Sequence, residues 1–290
     1  GQAHVIRQVQ AYDESRVTSR GFQIFAPSTR GVNNSIAFRP DNPLVADIRV
    51  RRALLHATNA QEVVDTLFSP HYPKATSLIA SSAQGYVNLA DRLTHDPALA
   101  VRLLEEAGWT LRPQGIRQKD GQELVLTAYE SPPQPRNKDT LQLVAQQWGR
   151  VGVRLNVMAG DLGSRVVDSL DPAKTPVAPA MVGRADPDVI RSNYYPTTRN
   201  ALLQKGGVSQ RVQNFRDDEL NAILEAIASE TDTARRLALV GDVQRYILDK
   251  AYVIPLFEEP QVFAAAPRVH GFGFEAVGRP SFYGTWLAAR

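Results

Sequence analysis

The chain has 290 residues, 43% hydrophobic and 22% charged, enough apolar material for a full core and unlike a disordered or fibrous composition. Its formal charge of +3, from 33 basic and 30 acidic residues with no long Lys/Arg run, does not imply nucleic-acid binding. The lack of cysteine excludes a disulfide framework, a thiolate metal site and a cysteine nucleophile.

No window reaches the roughly 18 consecutive apolar residues that span a bilayer, and no basic segment followed by an apolar core opens the chain. An export signal, if the protein has one, therefore lies outside these residues. The opening Gly1-Gln2-Ala3-His4-Val5-Ile6 runs directly into apolar sequence, so we read the chain as a portion of a longer protein.

In chain order, the first element is a strand within Val32 to Arg39, where Ile36 and Phe38 alternate between Gly31 and Pro40. Asn33 and Asn34 stand at its start. From Ile48, Val50, Ala53, Leu54 and Ala57 fall on one helical face, and Arg49-Val50-Arg51-Arg52 on that helix reads as a solvated or ion-paired surface. Asn59 and Glu62 resemble a capping box before Val63, Val64 and Leu67. Residues 70–86, with two prolines, a glycine and several serines, read as a long surface excursion, from which Tyr72 and Tyr86 either touch a ligand or cover apolar surface.

Asp96-Pro97 starts a helix with Leu99, Val101, Leu103, Leu104 and Ala107 on one side and Gly108 at its end. A turn at Lys119-Asp120-Gly121-Gln122 leads to a strand from Glu123 to Glu130. Beyond Pro132, Pro133 and Pro135, the spacing of Leu141, Val144, Ala145 and Trp148 predicts a helix, and Val153, Leu155 and Val157 the next strand. This order argues for a βαβ unit with parallel pairing. Leu220, Ile223, Leu224 and Ile227 mark another helix, and Asp232 caps a longer one running toward Leu248. Residues 251–266 are strand-rich but broken by Pro255 and Pro260, and the tail from Gly271 is rich in glycine and aromatics.

Catalytic signatures are missing. The five histidines, His4, His56, His71, His95 and His270, show no ligand spacing, and no nucleophile elbow, phosphate loop or dinucleotide turn is present, so no metal, cofactor or catalytic residue is assigned. Asp186 and Asp188 suit acid–base work by splitting their pKa values, but Asp186-Pro187-Asp188 also suits a helix start, with Asp186 as cap. Arg184, after Gly183 and the apolar run from Ala178 to Val182, is placed either to clamp an anionic group bidentately or to pair with Asp186 or Asp188.

The ordered segments resemble the family 5 extracellular solute-binding proteins, which serve ABC importers of peptides, nickel chelates and related solutes. Residues 49–57 are similar to that family's Val-Arg-Gln-Ala-Leu-x-x-Ala helix, and residues 95–109 to its Asp-Pro-x-x-Ala-x-x-Leu-Leu-x-x-Ala-Gly-Trp segment. Residues 149–153, Ala185-Asp186-Pro187-Asp188 and Ile254-Pro255-Leu256 match in order.

The resemblance implies a periplasmic-binding-protein type II-like α/β lobe, with a mixed sheet flanked by helices. Residues 1–40 would enter from a missing first lobe, 41–254 would form the second lobe, and 255–290 would return toward the first. It further implies a monomeric, non-enzymatic receptor, periplasmic or anchored at the cell surface. Such a receptor binds a small peptide-like, chelate or anionic solute and delivers it to membrane permease subunits.

Met181, Gly183, Arg184, Asp186, Asn33 and Asn34 are the expected ligand contacts. Gly183 stands where peptide-binding relatives place an aspartate for the free amine, Asn59-Ala60 replaces Asp-Arg, and Arg39 replaces an asparagine after Phe38. The alternatives are the sensing half of a transcription regulator, which a preceding helix-turn-helix would reveal, and an α/β enzyme.

Overall fold

The computed structural model describes residues 3–131, 134–159, 168, 171–182, 186, 188–196 and 215–289. Its helices are α1 (Glu14–Thr18), α2 (Pro43–Ala46), α3 (Ile48–Ala57), α4 (Ala60–Leu67), α5 (Pro97–Glu106), α6 (Asn137–Gly149), α7 (Val189–Tyr194), α8 (Asp218–Ser229) and α9 (Thr233–Asp249). The strands that organise the chain are β1 (Val5–Arg7), β2 (Gln23–Phe25), β3 (Val32–Phe38), β4 (Thr110–Leu111), β5 (Arg117–Lys119), β6 (Gln122–Glu123), β7 (Val125–Tyr129), β8 (Arg154–Met158), β9 (Val177–Val182), β10 (Val253–Phe257) and β11 (Phe263–Ala265). Short strand pairs complete the tail after residue 268.

Strand β3 lies at the centre, with all seven residues buried, between antiparallel β10 and β9. β7 packs beside β9 and pairs in parallel with β8, to which α6 connects it, so the expected βαβ unit forms. Side chains leave a strand on alternate faces, so Ile36 and Phe38 enter one core with Leu54, Trp148 and Leu256, while Ala37 enters a second with Ile190, Leu224 and Val243. Helices α3 to α6 cover the first core and α7 to α9 the second. A separate sheet, β1-β11-β2, ties the two ends of the chain together, pairing Ile6 with Ala264 and Ala264 with Ile24.

Local chemistry sets the boundaries. Asp96 accepts from Leu99 N at 2.9 Å, with Pro97 at the first turn, and Asp232 accepts from Arg235 N at 2.8 Å. Asn59 accepts from Glu62 N at 3.1 Å, but its own N–H donates to Gln147 Oε1 at 3.0 Å. The capping box is thus completed from α6. The turn between β5 and β6 places Asp120 and Gly121 at φ 48° and 81°. Gly152 sits at φ 85°, where an added Cβ would meet Leu111 Cδ1 at 2.7 Å, so the sharp entry into β8 requires glycine.

Four expectations are corrected. The basic cluster divides: Arg49 is exposed and ion-paired with Asp47 and Arg52 is exposed, as expected, but Arg51 is buried, donating to the carbonyls of Val45, Ala46 and Lys250 at the ends of α2 and α9. Residues 70–86 are irregular and exposed at both ends, but their middle is not a surface excursion. Pro73 to Ala80 runs beside β10 and β3, with Ala75 N on Leu256 O, Glu258 N on Pro73 O, Asn33 N on Leu78 O and Ala80 N on Gly31 O, and Ala75 and Ser77 to Ala80 are buried. Sheet-edge amides need partners, and this segment supplies them.

The strand placed at Glu123 to Glu130 divides in two, because residues 122–123 pair with β5 whereas 125–129 pair with β8. Pro255 lies inside β10 without ending it, facing Ser35 next to a register shift.

Candidate functional site

The start of β3 and the ends of β9 and β10 share one edge of the central sheet, since Val32 faces Val182 and Asn34 faces Phe257. A bulge between Val32 and Ser35 interrupts β3 there. Of the paired asparagines, Asn33 is turned toward the buried segment, donating from Nδ2 to Ser77 O at 2.8 Å. Asn34 instead donates to Glu259 Oε2 at 2.9 Å.

Glu259 follows β10 by two residues. Its backbone carbonyl accepts from Thr29 N and Thr29 Oγ1, and its neighbour Glu258 is buried, accepting from Ser81 N at 2.8 Å. Burial raises the Glu259 pKa above the ordinary carboxylate value, and the Asn34 hydrogen bond opposes that shift. The Tyr72 phenol, stacked among Phe68 and Phe257, is pushed up to about 12 by burial and then by the charges of Glu259 and Glu14.

Glu259 and Tyr72 border a cavity of about 290 Å³ between the segments next to the end-joining sheet and the loop that leads into α6. Its polar wall is formed by Gln8, Gln10, Gln134, Arg136, Glu259 and Gln261, with Tyr72 alongside. Arg136 adopts φ 50°, an uncommon left-handed conformation for a side-chain-bearing residue, and donates to Asp139 Oδ2 at 3.0 Å and to Leu67 O at 2.7 Å. Asn137 stiffens the same loop, accepting from Ser131 N and donating to Gln134 Oε1, both at 2.7 Å. The arrangement can bind and orient a polar molecule.

The expected ligand contacts divide. Met181 is partly buried in β9. Asp186 is exposed, and its Oδ1 accepts from Asp188 N at 2.8 Å. Its carbonyl also accepts from Val189 N at 3.1 Å, so Asp186 closes the turn that leads into α7, and Asp188, already in the right-handed helical region, makes no side-chain cap. Gly183 and Arg184 lie outside the described residues.

Sequence reasoning did not single out Glu259, Gln134, Arg136 or the glutamines near both ends. The available signal was the acidic pair Glu258-Glu259 directly after an apolar strand. What could not be read was its approach to residues 8–10 and 134–136.

Comparison with known proteins agrees with this architecture. The model of bacterial extracellular solute-binding proteins, family 5 Middle, matches residues 1–168. The oligopeptide-binding protein OppA of Lactococcus lactis subsp. cremoris is 30% identical over 237 residues, covering 77% of this chain and 37% of OppA. The glutathione-binding protein GsiB of Salmonella paratyphi A is 26% identical over 256 residues, covering 84% of this chain and 44% of that protein. The chain thus spans less than half the length of either relative.

Among solved structures, NikA from Brucella suis in complex with Fe(III)-EDTA superimposes with a TM-score of 0.83 at 21% identity, over 99% of this chain and 58% of that one. AppA from Bacillus subtilis in complex with a nonapeptide superimposes with a TM-score of 0.76 at 17% identity, over 100% and 57%. The fold is that of the type II periplasmic binding proteins, and the matched proteins are solute-binding proteins rather than enzymes. With the family model covering more than half of its residues, the chain belongs to the bacterial extracellular solute-binding proteins of family 5.

Proposed function

We propose that the chain supplies one lobe and the lobe-joining segments of a receptor that closes over a small solute and hands it to an ABC permease outside the cytoplasmic membrane. Residues 41–254 form the lobe, and 1–40 and 255–290 belong with the rest of the receptor. The observation that carries this reading is the polar cavity at the sheet edge, where residues from both chain ends meet the α6 loop. Ligands settle in such concave sites between units, and closure there is a hinge motion. In this scheme Met181, Gly183, Arg184 and Asp186 meet the solute beyond the cavity wall, Asn34 acts on it through Glu259, and Asn33 holds the strand that leads to it.

The test is a thermal-shift screen of the full-length protein against small peptides, metal chelates and small anions, with solution scattering to follow closure. A true solute at 100 times its Kd stabilises by about 2.7 kcal/mol and compacts the protein. A panel with no member that does either would refute the receptor reading. With a solute in hand, Arg184→Ala that leaves its affinity unchanged would remove Arg184 from the site.

A further inference from the structure

The cavity wall carries a carboxylate, Glu259, that makes no salt bridge among the described residues. Glu259 Oε2 receives the Asn34 amide, while Oε1 has no hydrogen-bond partner among the described residues. Burial raises its pKa, and the Asn34 amide opposes that shift. Arg136, on the same wall, already donates to Asp139 and to Leu67 O.

The other polar groups are amides with one end committed. Gln10 Nε2 donates to Gln8 O, Gln134 Oε1 accepts from Asn137, and Gln261 Oε1 accepts from Arg7. The remaining ends suit neutral hydrogen-bonding groups of either polarity. A partly buried carboxylate gains most from an N–H-bearing cation, because attraction and hydrogen bonding are both stronger where water is reduced.

Building on the receptor reading, we propose that Glu259 selects the charge of the solute, which presents a protonated amine or guanidinium to it with neutral polar groups against the glutamines. A cation met at Glu259 does not require the acid that peptide-binding relatives carry at the position of Gly183.

The experiment is calorimetric titration of the full-length protein at about pH 6.5 with two probes. Glycyl-glycinamide carries a protonated amine, and N-acetyl-glycyl-glycinamide keeps the hydrogen-bonding groups without the charge. The wild type should bind the amine at least about tenfold more tightly, and Glu259→Gln, which retains an acceptor for Asn34, should reduce that ratio to about threefold or less. Glu259→Asp should restore part of it, which distinguishes lost charge from lost structure. A wild-type ratio under about threefold, an unchanged ratio in Glu259→Gln, or no binding of either probe overturns the assignment. The solute screen on the same preparation separates the two ideas: a ligand that closes the protein without regard to residue 259 leaves the receptor reading standing and removes only the charge-selecting role.

Discussion

Replacing Arg51 by methionine tests whether the basic run on α3 is structural. The guanidinium makes four hydrogen bonds to three carbonyls: Nη1 to Val45 O at 2.8 Å and Ala46 O at 2.7 Å, and Nε and Nη2 to Lys250 O at 3.2 and 3.1 Å. Its face also lies 5.1 Å from the Tyr252 ring centroid. Val45 O is shut off from water, so losing its partner costs about 1–3 kcal/mol; the other two carbonyls can rehydrate, at about 1 kcal/mol each.

A cation at the ends of α2 and α9 contributes about 0.3–1 kcal/mol per helix beyond this. Burial lowers the Arg51 pKa, so part of the loss is offset by no longer desolvating the charge. The net expectation is a loss of roughly 3 kcal/mol, read as a lower urea midpoint with an unchanged slope. Arg52→Ala serves as the control, because Arg52 is exposed and makes one hydrogen bond, to Asp249 O at 2.9 Å. It should cost under about 1 kcal/mol. Equal effects at the two positions would refute the argument.

Gly152→Ala should destabilise by about 2–4 kcal/mol in urea melts, since it combines a left-handed backbone with a Cβ placed 2.7 Å from Leu111 Cδ1 and 2.9 Å from Arg117 Cγ. Trp148→Phe removes the 2.9 Å hydrogen bond from Nε1 to Thr58 Oγ1 and leaves a void against Phe38. A loss of about 2–4 kcal/mol is expected, and a loss below about 1 kcal/mol would mean that the core relaxes around the smaller ring. Glu259→Gln should raise the melting temperature at neutral pH. The folded-state pKa of Glu259 is raised, so its contribution to stability is fully present below the unfolded value and is lost as pH rises through the folded one. The wild-type disadvantage should therefore shrink on acidification, and a pH-independent difference would count against a buried ionised carboxylate.

Elements set by near neighbours were legible in the chain. Asp96-Pro97, Asn59 and Asp232 start their helices with local hydrogen bonds, and the alternation around Ile36 and Phe38 and the spacing of Leu141, Val144 and Trp148 match what folds. Such signals need only a few successive residues, because caps and periodic faces act within one or two turns. The family segments add order to these pieces.

Tertiary structure decided what depends on distant residues. Whether Arg51 is solvated depends on α9, about two hundred residues later, and whether residues 73–80 are surface depends on the open edges of β3 and β10. The cavity is the extreme case, with walls drawn from residues 8–10, 134–136 and 259–262. An acidic pair after an apolar strand reads the same whether it meets water or a closed polar wall. Only the pairing of β1 and β2 with β11 brings the chain ends together, and only the pairing of β3 with β10 sets Asn34 near Glu259, whose partial burial raises its pKa.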